Sequence, residues 1–322
     1  MACSFASPRV APAVNGCMRT VPTDDGGFGR RRKPPARTVA REAVGSPLTG
    51  AGDSLKVVVG AWNVRHGGGR RRPRIARALS QLDADVLVLG EWSPNGSPPL
   101  RGLLEDQGWH VLEAPGEIAS RCYGVALASR LPVRFGHLTA TDSTRLVHGV
   151  VAVGRRELDV LGVYVPSGSP DMTRKRAFLE ELAELTEHWS EQRPAVLAGD
   201  FNCDHRDATG SLSPRLVGEP RFAALFDVGW HDAHRRVADP SSPTFWEART
   251  GVGFRLDQVL SRGPAQPVTS SITTKVDEGH LVAGPDGNNE PMSDHAAITT
   301  SFVLEHPPSS SDAPAKEATP NP

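Results

Sequence analysis

Three things are missing from this chain of 322 residues. No two cysteines stand at CxxC spacing. The four present (Cys3, Cys17, Cys122 and Cys203) are scattered, which argues against a disulfide framework or a zinc knuckle and suits a reducing, cytoplasmic compartment. No apolar run is long enough to cross a membrane, and the first 20 residues lack the apolar block of a secretory leader, so neither a membrane partner nor export is expected. Positive charge is not in excess either: Lys and Arg number 36 against 37 Asp and Glu. With eight basic and four acidic residues before position 55, and one against two after 305, the core carries 27 basic and 31 acidic residues, a net of −4. A polyanion bound to such a core is gripped by local patches and bound metal, not by a global field.

What is present divides into three stretches. Residues 1–54 are rich in Gly, Pro, Arg, Ser and Ala, and 306–322 form a polar Pro/Ser/Ala tail. Neither offers enough apolar surface to offset its ordering entropy, so both are expected to be disordered. The Arg30–Lys33 run reads either as an address or nucleic-acid arm, or as a solvated extension. Residues 55–305 suit one monomeric domain. There, β-branched and apolar runs predict strands at Leu55–Trp62, Val86–Leu89, Gly124–Ala128, Arg134–Leu138, Val147–Val153, Leu158–Val163, Ala195–Ala198, Phe254–Leu260, Val268–Thr274 and Ala296–Val303. Apolar spacing of three and four predicts helices over Arg74–Leu82 and Thr173–Trp189. Ser270–Met292 reads as a strand end followed by a long loop. Strands that arrive both directly and after helices predict an α/β fold, a four-layer sandwich of two packed mixed sheets with helices outside.

Several strands end in polar residues that packing does not explain. Asn63 closes the first; Glu91 follows the second. Tyr164 follows Leu158–Val163, and Asp200 and Asn202 follow Ala195–Gly199. Asp257 lies within an apolar run, and Asp294 and His295 precede the last strand. Strand ends are where rigid sheets position short functional loops, so these side chains are expected to share one pocket. Four carboxylates together repel each other at neutral pH. A hard divalent cation relieves that repulsion, and oxygen donors favour Mg2+ (or Mn2+) over zinc. A carboxylate that activates water, with an amide, a phenol and a protonated His that stabilise charge, is the equipment of phosphate-ester hydrolysis.

In the order WN, E, YVP, GDFN, RLD, SDH, the chain resembles the endonuclease/exonuclease/phosphatase superfamily, the group of DNase I, exonuclease III and the apurinic/apyrimidinic endonucleases, over about residues 56–304. Each block is weak alone; six in order are specific. The resemblance implies Glu91 as principal metal ligand, with Asn63 and Asp294 beside it. It implies Asp200, assisted by Asn202, as the group that orients or deprotonates the attacking water. His295, kept protonated by Asp257, contacts the scissile phosphate, and Tyr164 stabilises it. Tyr164 in a YVP block points to the exonuclease III and abasic-site branch, where aromatics before RLD line a sugar pocket; Phe245, Phe254 and Leu256 are the equivalents.

The chain also departs from that branch. Gly90 and Trp92 flank Glu91 where Gln and a nearby Lys are usual. Ser167 replaces an Asn, Gln258 replaces a Tyr, and an Arg- and Gly-rich loop, Arg65–Arg72, follows Asn63. Gly permits close approach and Arg forks match phosphate, so Arg70, Arg71 and Arg72 are candidate phosphate contacts, with an exposed solvated loop as the competing reading. His66 receives no role. The expectation is a divalent-metal-dependent phosphodiesterase, a DNA endonuclease or exonuclease; the alternative is the same site acting on RNA, nucleotides or small phosphoesters. A catalytically dead binding module is disfavoured by the complete set of polar residues.

Overall fold

In a computed structural model the described residues are 55–95, 98–119, 122–169, 172–204, 216–247, 250–282 and 290–305. The extensions expected at 1–54 and 306–322 lie outside them. The elements in chain order are β1 (Leu55–Asn63), α1 (Arg72–Leu79), β2 (Val86–Trp92), α2 (Leu100–Glu105), β3 (His110–Glu113), β4 (Gly124–Ser129), β5 (Val133–Phe135), β6 (Leu146–Val153), β7 (Arg156–Tyr164), α3 (Thr173–Glu187), β8 (Ala195–Asp200), α4 (Pro220–Asp227), β9 (His231–Asp232), α5 (Ala233–Val237), β10 (Phe245–Trp246), β11 (Gly253–Phe254), β12 (Asp257–Arg262), β13 (Ala265–Thr273), β14 (Lys275–Val276), β15 (Gly279–His280) and β16 (Ala297–Leu304).

Two six-stranded mixed sheets form the body, ordered β13-β16-β1-β2-β4-β3 and β5-β6-β7-β8-β12-β9. Each contains one parallel pair, β1–β2 and β7–β8, and the other pairs are antiparallel. A parallel pair needs a long crossover, and a helix supplies it in both cases: α1 between β1 and β2, α3 between β7 and β8.

Side-chain alternation along the strands sorts the core into layers. On β2, Val86 and Val88 join a valine-dominated cluster between the sheets, with Val57 and Val59 of β1, Val160 of β7, Val196 of β8 and Val259 of β12. Leu87 and Leu89 face the other way, onto Ile75 and Leu79 of α1 and Leu104 of α2. The second sheet repeats the pattern, with Leu161 and Leu197 packed outward against Phe178, Leu179 and Leu182 of α3. Compact β-branched residues therefore fill the sheet-to-sheet gap while longer leucines reach the helices. The result is the four-layer α/β sandwich that the sequence predicts.

Three expected segments differ. The strand expected at Arg134–Leu138 ends at Phe135, in β5. Phe254–Leu260 is not one strand: β11 ends at Phe254 and β12 starts at Asp257. Between them the Arg255 guanidinium turns inward onto both oxygens of buried Asp232, and the amides of Leu256 and Asp257 donate to Thr244 Oγ1 instead of a ladder. Ser270–Met292 is not a loop throughout: β14 and β15 make a short hairpin there, while 283–289 lie outside the described residues.

Candidate active site

The carboxyl ends of the two parallel pairs face each other, and each contributes two of the expected residues: Asn63 and Glu91 from β1 and β2, Tyr164 and Asp200 from β7 and β8. In the second sheet Tyr164 is in register with Asp200, and Asp200 with Asp257 on β12, so three side chains stand in a row across neighbouring strands. His295 sits just before β16, the antiparallel neighbour of β1.

Asn63 joins the two sheets. Its Nδ2 donates to Glu91 Oε1 at 3.2 Å and to Asp200 Oδ2 at 2.9 Å, while its Oδ1 accepts from the Arg65 amide at 2.8 Å. One amide nitrogen thus draws two carboxylates from opposite sheets into one pocket. Glu91 gets there through a bulge: pairing between β2 and β4 shifts register between Gly90 and Trp92, and Glu91 takes a left-handed φ of 52°. Bulges commonly re-aim a side chain in this way.

Asp200 is fixed more tightly. Gly199 before it has φ 142°, and a Cβ there would lie 2.0 Å from the Val163 carbonyl oxygen, so β8 reaches β7 only with glycine at this position. Asn202, also at positive φ, donates its backbone N–H to Asp200 Oδ1 at 2.8 Å and its Nδ2 to the Val165 carbonyl at 2.9 Å. Beneath it the fully buried Lys175 of α3 donates to the Asn202 carbonyl at 2.6 Å. Burial above all, with Asp257 adding, pushes the Asp200 carboxyl up to about 7 against the opposing pull of His295, Asn63 and Asn202.

Asp257 Oδ2 lies 2.7 Å from His295 Nδ1, and both residues are buried. Burial alone lowers the basicity of the ring, but the Asp257 charge and hydrogen bond outweigh it and, with Asp200 and Asp294, push His295 up to about 10. The Asp257 contact therefore favours the charged form of the imidazole. Asp257 Oδ1 is buried with no hydrogen-bond partner among the described residues. Ligating atoms of Asp200, Asp257 and His295 all lie within 4.8 Å of one another. Ser293 Oγ donates to the Asn63 carbonyl, and the Trp62 indole donates to the His295 carbonyl, which ties the last loop to β1.

Tyr164 stacks under the Arg145 guanidinium, 4.5 Å from its ring centre. Burial first, then the charges of Glu91 and Asp200, hold its hydroxyl far above the ordinary value, so it remains an O–H donor. Asp294 is more exposed and faces Arg65 Nε at 3.5 Å.

The remaining expected residues separate. Arg70 is exposed. Arg71 donates to the carbonyls of Met292 and Arg65, and burial followed by the nearby Arg65 charge lowers its basicity. Arg72 is buried and donates to the carbonyls of Gly67 and Asn95, which makes it a brace for the loop. The half-buried Phe245 ring lies 5.1 Å from the His295 ring, whereas Phe254 and Leu256 are buried beneath. Sequence reasoning gave no role to Lys175 or Arg145. Lys175 left a signal: it falls on the Phe178, Leu179 and Leu182 face of α3, where a charge has no packing reason.

Oxygen donors of the type offered by Glu91, Asp294 and the Asn63 amide match a hard divalent cation. The pocket has an internal sign of room for a positive charge: the buried Asp257 Oδ1, beside Asp200, has no hydrogen-bond partner among the described residues.

The sequence profile of the Endonuclease/Exonuclease/phosphatase family matches residues 60–295. No curated protein matches the chain. Among solved structures, an AP endonuclease from Archaeoglobus fulgidus superposes with a TM-score of 0.60 at 21% identity, over 76% of this chain and 99% of that one. The 3′ phosphatase NExo from Neisseria, bound to a product DNA hairpin, gives 0.59 at 24% identity over 76% and 99%. TDP2 from D. rerio, complexed with a single-strand DNA product, gives 0.57 at 17% identity over 77% and 98%. At these identities the likeness is one of fold.

Proposed function

The chain belongs to the endonuclease/exonuclease/phosphatase family of phosphodiester hydrolases, and from that premise we propose that it cuts the DNA backbone with a divalent cation, Mg2+ (or Mn2+), held at Glu91. The observation that carries this reading is the Asn63 amide, which holds the Glu91 and Asp200 carboxylates in one pocket, within which Asp200 also lies beside His295.

Asp200 takes a proton from the attacking water; an acid near 7 is matched to that task at neutral pH. Asn202 fixes its oxygens so that the accepting lone pair is aimed in advance. His295, locked by Asp257, presents Nε2 as a charged donor to a phosphate oxygen, and Tyr164 presents its hydroxyl. Glu91, Asn63 and Asp294 are the side chains that would hold the cation, which would supply charge neutralisation at the phosphate oxygens. DNA is favoured as substrate because AP endonuclease, NExo with its DNA hairpin and TDP2 with single-strand DNA share the fold. Arg65, facing Asp294, supplies local positive charge beside the pocket. The domain that does this spans 55–305, acts as a monomer and works in the cytoplasm.

A core net charge of −4 favours a second reading, with a nucleotide, RNA or small phosphoester as substrate. One panel separates the two: abasic duplex, intact duplex, single-stranded DNA, RNA and bis-p-nitrophenyl phosphate, each with Mg2+ and with chelator. Chelator-sensitive cleavage of a DNA member is the expected result. Silence on every nucleic acid with turnover of the small ester selects the second reading, and silence on all five overturns the hydrolase.

A further inference from the structure

The sequence alone assigns His66 no role. Its side chain is 63% exposed, yet its position is over-determined. Among the described residues, four that are not glycine have positive φ, and three of them, Arg65 (52°), His66 (53°) and Glu91 (52°), meet at this corner. Left-handed backbone at bulky residues is strained and survives only where surroundings impose it. They do so here. The His66 amide donates to Glu91 Oε2 at 2.6 Å, and its ring stacks nearly flat on Tyr123, with centres 5.4 Å apart and planes inclined 22°. Next in sequence, Gly67 has φ 61°, and a Cβ on it would meet Ser93 Cβ at 2.5 Å, so the turn closes over β2 only with glycine.

The turn delivers His66 Nε2 to 3.9 Å from Glu91 Oε2. That is too long for a hydrogen bond. An ion pair at this separation contributes little by itself. The gap does match a shared ion: metal–nitrogen and metal–oxygen bonds of about 2.1 Å each span up to about 4.2 Å. We propose that His66 is a nitrogen ligand of the divalent ion held by Glu91, and that it tilts the site from magnesium toward manganese or another first-row transition ion. Imidazole is a poor partner for magnesium and a good one for those ions. The proposal rests on the reading above that Glu91 holds the ion, and the test keeps the two apart.

The full-length chain, stripped with chelator, is titrated with Mn2+ and followed by loss of the free-ion electron paramagnetic resonance signal, with Mg2+ measured by competition. Pulsed spectra of the bound Mn2+ report coupling to an imidazole nitrogen. The wild type is expected to bind Mn2+ at least about tenfold more tightly than Mg2+ and to show that coupling. His66→Asn keeps a residue that tolerates positive φ. It is expected to lose the coupling and about tenfold in Mn2+ affinity, while Mg2+ affinity moves less than about twofold. Coupling that persists in His66→Asn comes from another histidine and overturns the assignment, as does an unchanged Mn2+ affinity. Glu91→Gln is run alongside. Mn2+ binding lost there but indifferent to His66→Asn overturns the ligand assignment alone; Mn2+ binding indifferent to Glu91→Gln overturns both readings.

Discussion

Both sheets present their site residues from the carboxyl ends of a β-α-β crossover, yet the two ends differ in how they hold them. At the β7–β8 end, Asp200 and Asn202 are buried, Asp257 is sealed against His295, and Lys175 closes the turn from below. At the β1–β2 end, Glu91 and Asp294 are partly open to solvent and the backbone around them is strained at Arg65, His66 and Glu91. Proton transfer needs fixed distances and altered acidities, which burial and hydrogen bonds provide. A cation must arrive, lose water and leave, which needs an accessible mouth. The same crossover serves both tasks because the loops after it, not the strands, set the exposure.

The largest test of that contrast is a pair of substitutions. Asp200→Ala is expected to lower kcat by about 10³-fold or more, with no recovery at raised Mg2+, because the lost group acts on a proton. Glu91→Gln is expected to lower activity about 10²-fold at limiting Mg2+ and to recover in part as Mg2+ rises, because the lost group acts on cation affinity. Identical Mg2+ dependence in the two variants breaks the division. A smaller effect belongs to Lys175. In Lys175→Met the buried Asn202 carbonyl loses its donor, at a cost of about 1–3 kcal/mol of stability. The turn beside Asp200 loosens, and kcat is expected to fall about tenfold with KM within about twofold. An equal loss in a variant of an outlying core residue with matched stability marks Lys175 as merely structural.

The smallest effect is a shift in thermal unfolding with pH. Asp200, raised to about 7 in the fold from about 4 when unfolded, holds a proton between those values that unfolding releases. Its contribution therefore declines as pH climbs through that window. His295, raised to about 10, contributes fully below its unfolded value of about 6.5, and that contribution is lost as pH rises through 10. In chelator, Tm is expected to fall from pH 5 to pH 10. Added Mg2+ is expected to raise Tm more at pH 8 than at pH 5, since the cation competes with the Asp200 proton. A Mg2+ effect that is equal at the two pH values separates Asp200 from the cation site.

Most strands of the two sheets and the two crossover helices were legible because burial on both faces leaves long Val and Leu runs, as in LKVVVGAW and VLVLG, whereas the four-residue β3 was not expected. The pocket residues were legible because each stands at the end of, within or just before such a run without a packing reason. Other features depend on partners remote in sequence. Arg255 breaks the expected Phe254–Leu260 strand because Asp232 waits for it 23 residues upstream. Strands of two residues such as β9 and β14 leave no period to detect. Arg72 and Arg71 looked alike in the Arg run, and only the carbonyls of Gly67, Asn95, Arg65 and Met292 show that both side chains support the loop. His66 and Glu91 are separated by 25 positions, and nothing local announces that they meet.

The extra residue in β2 frees Glu91 from the parity of its strand. Val86 to Leu89 alternate between the sheet interface and the helix layer, and any change to that packing is constrained by both. Because pairing skips at the bulge, Glu91 inherits neither constraint. Core residues beneath it can drift in size while the acid keeps its aim, and the loop above it can be rebuilt while the core stays closed. For redesign, the practical corollary is that metal preference and thermal robustness can be altered independently on this strand. Deleting one residue there re-couples them by turning the carboxylate toward oil or bulk water.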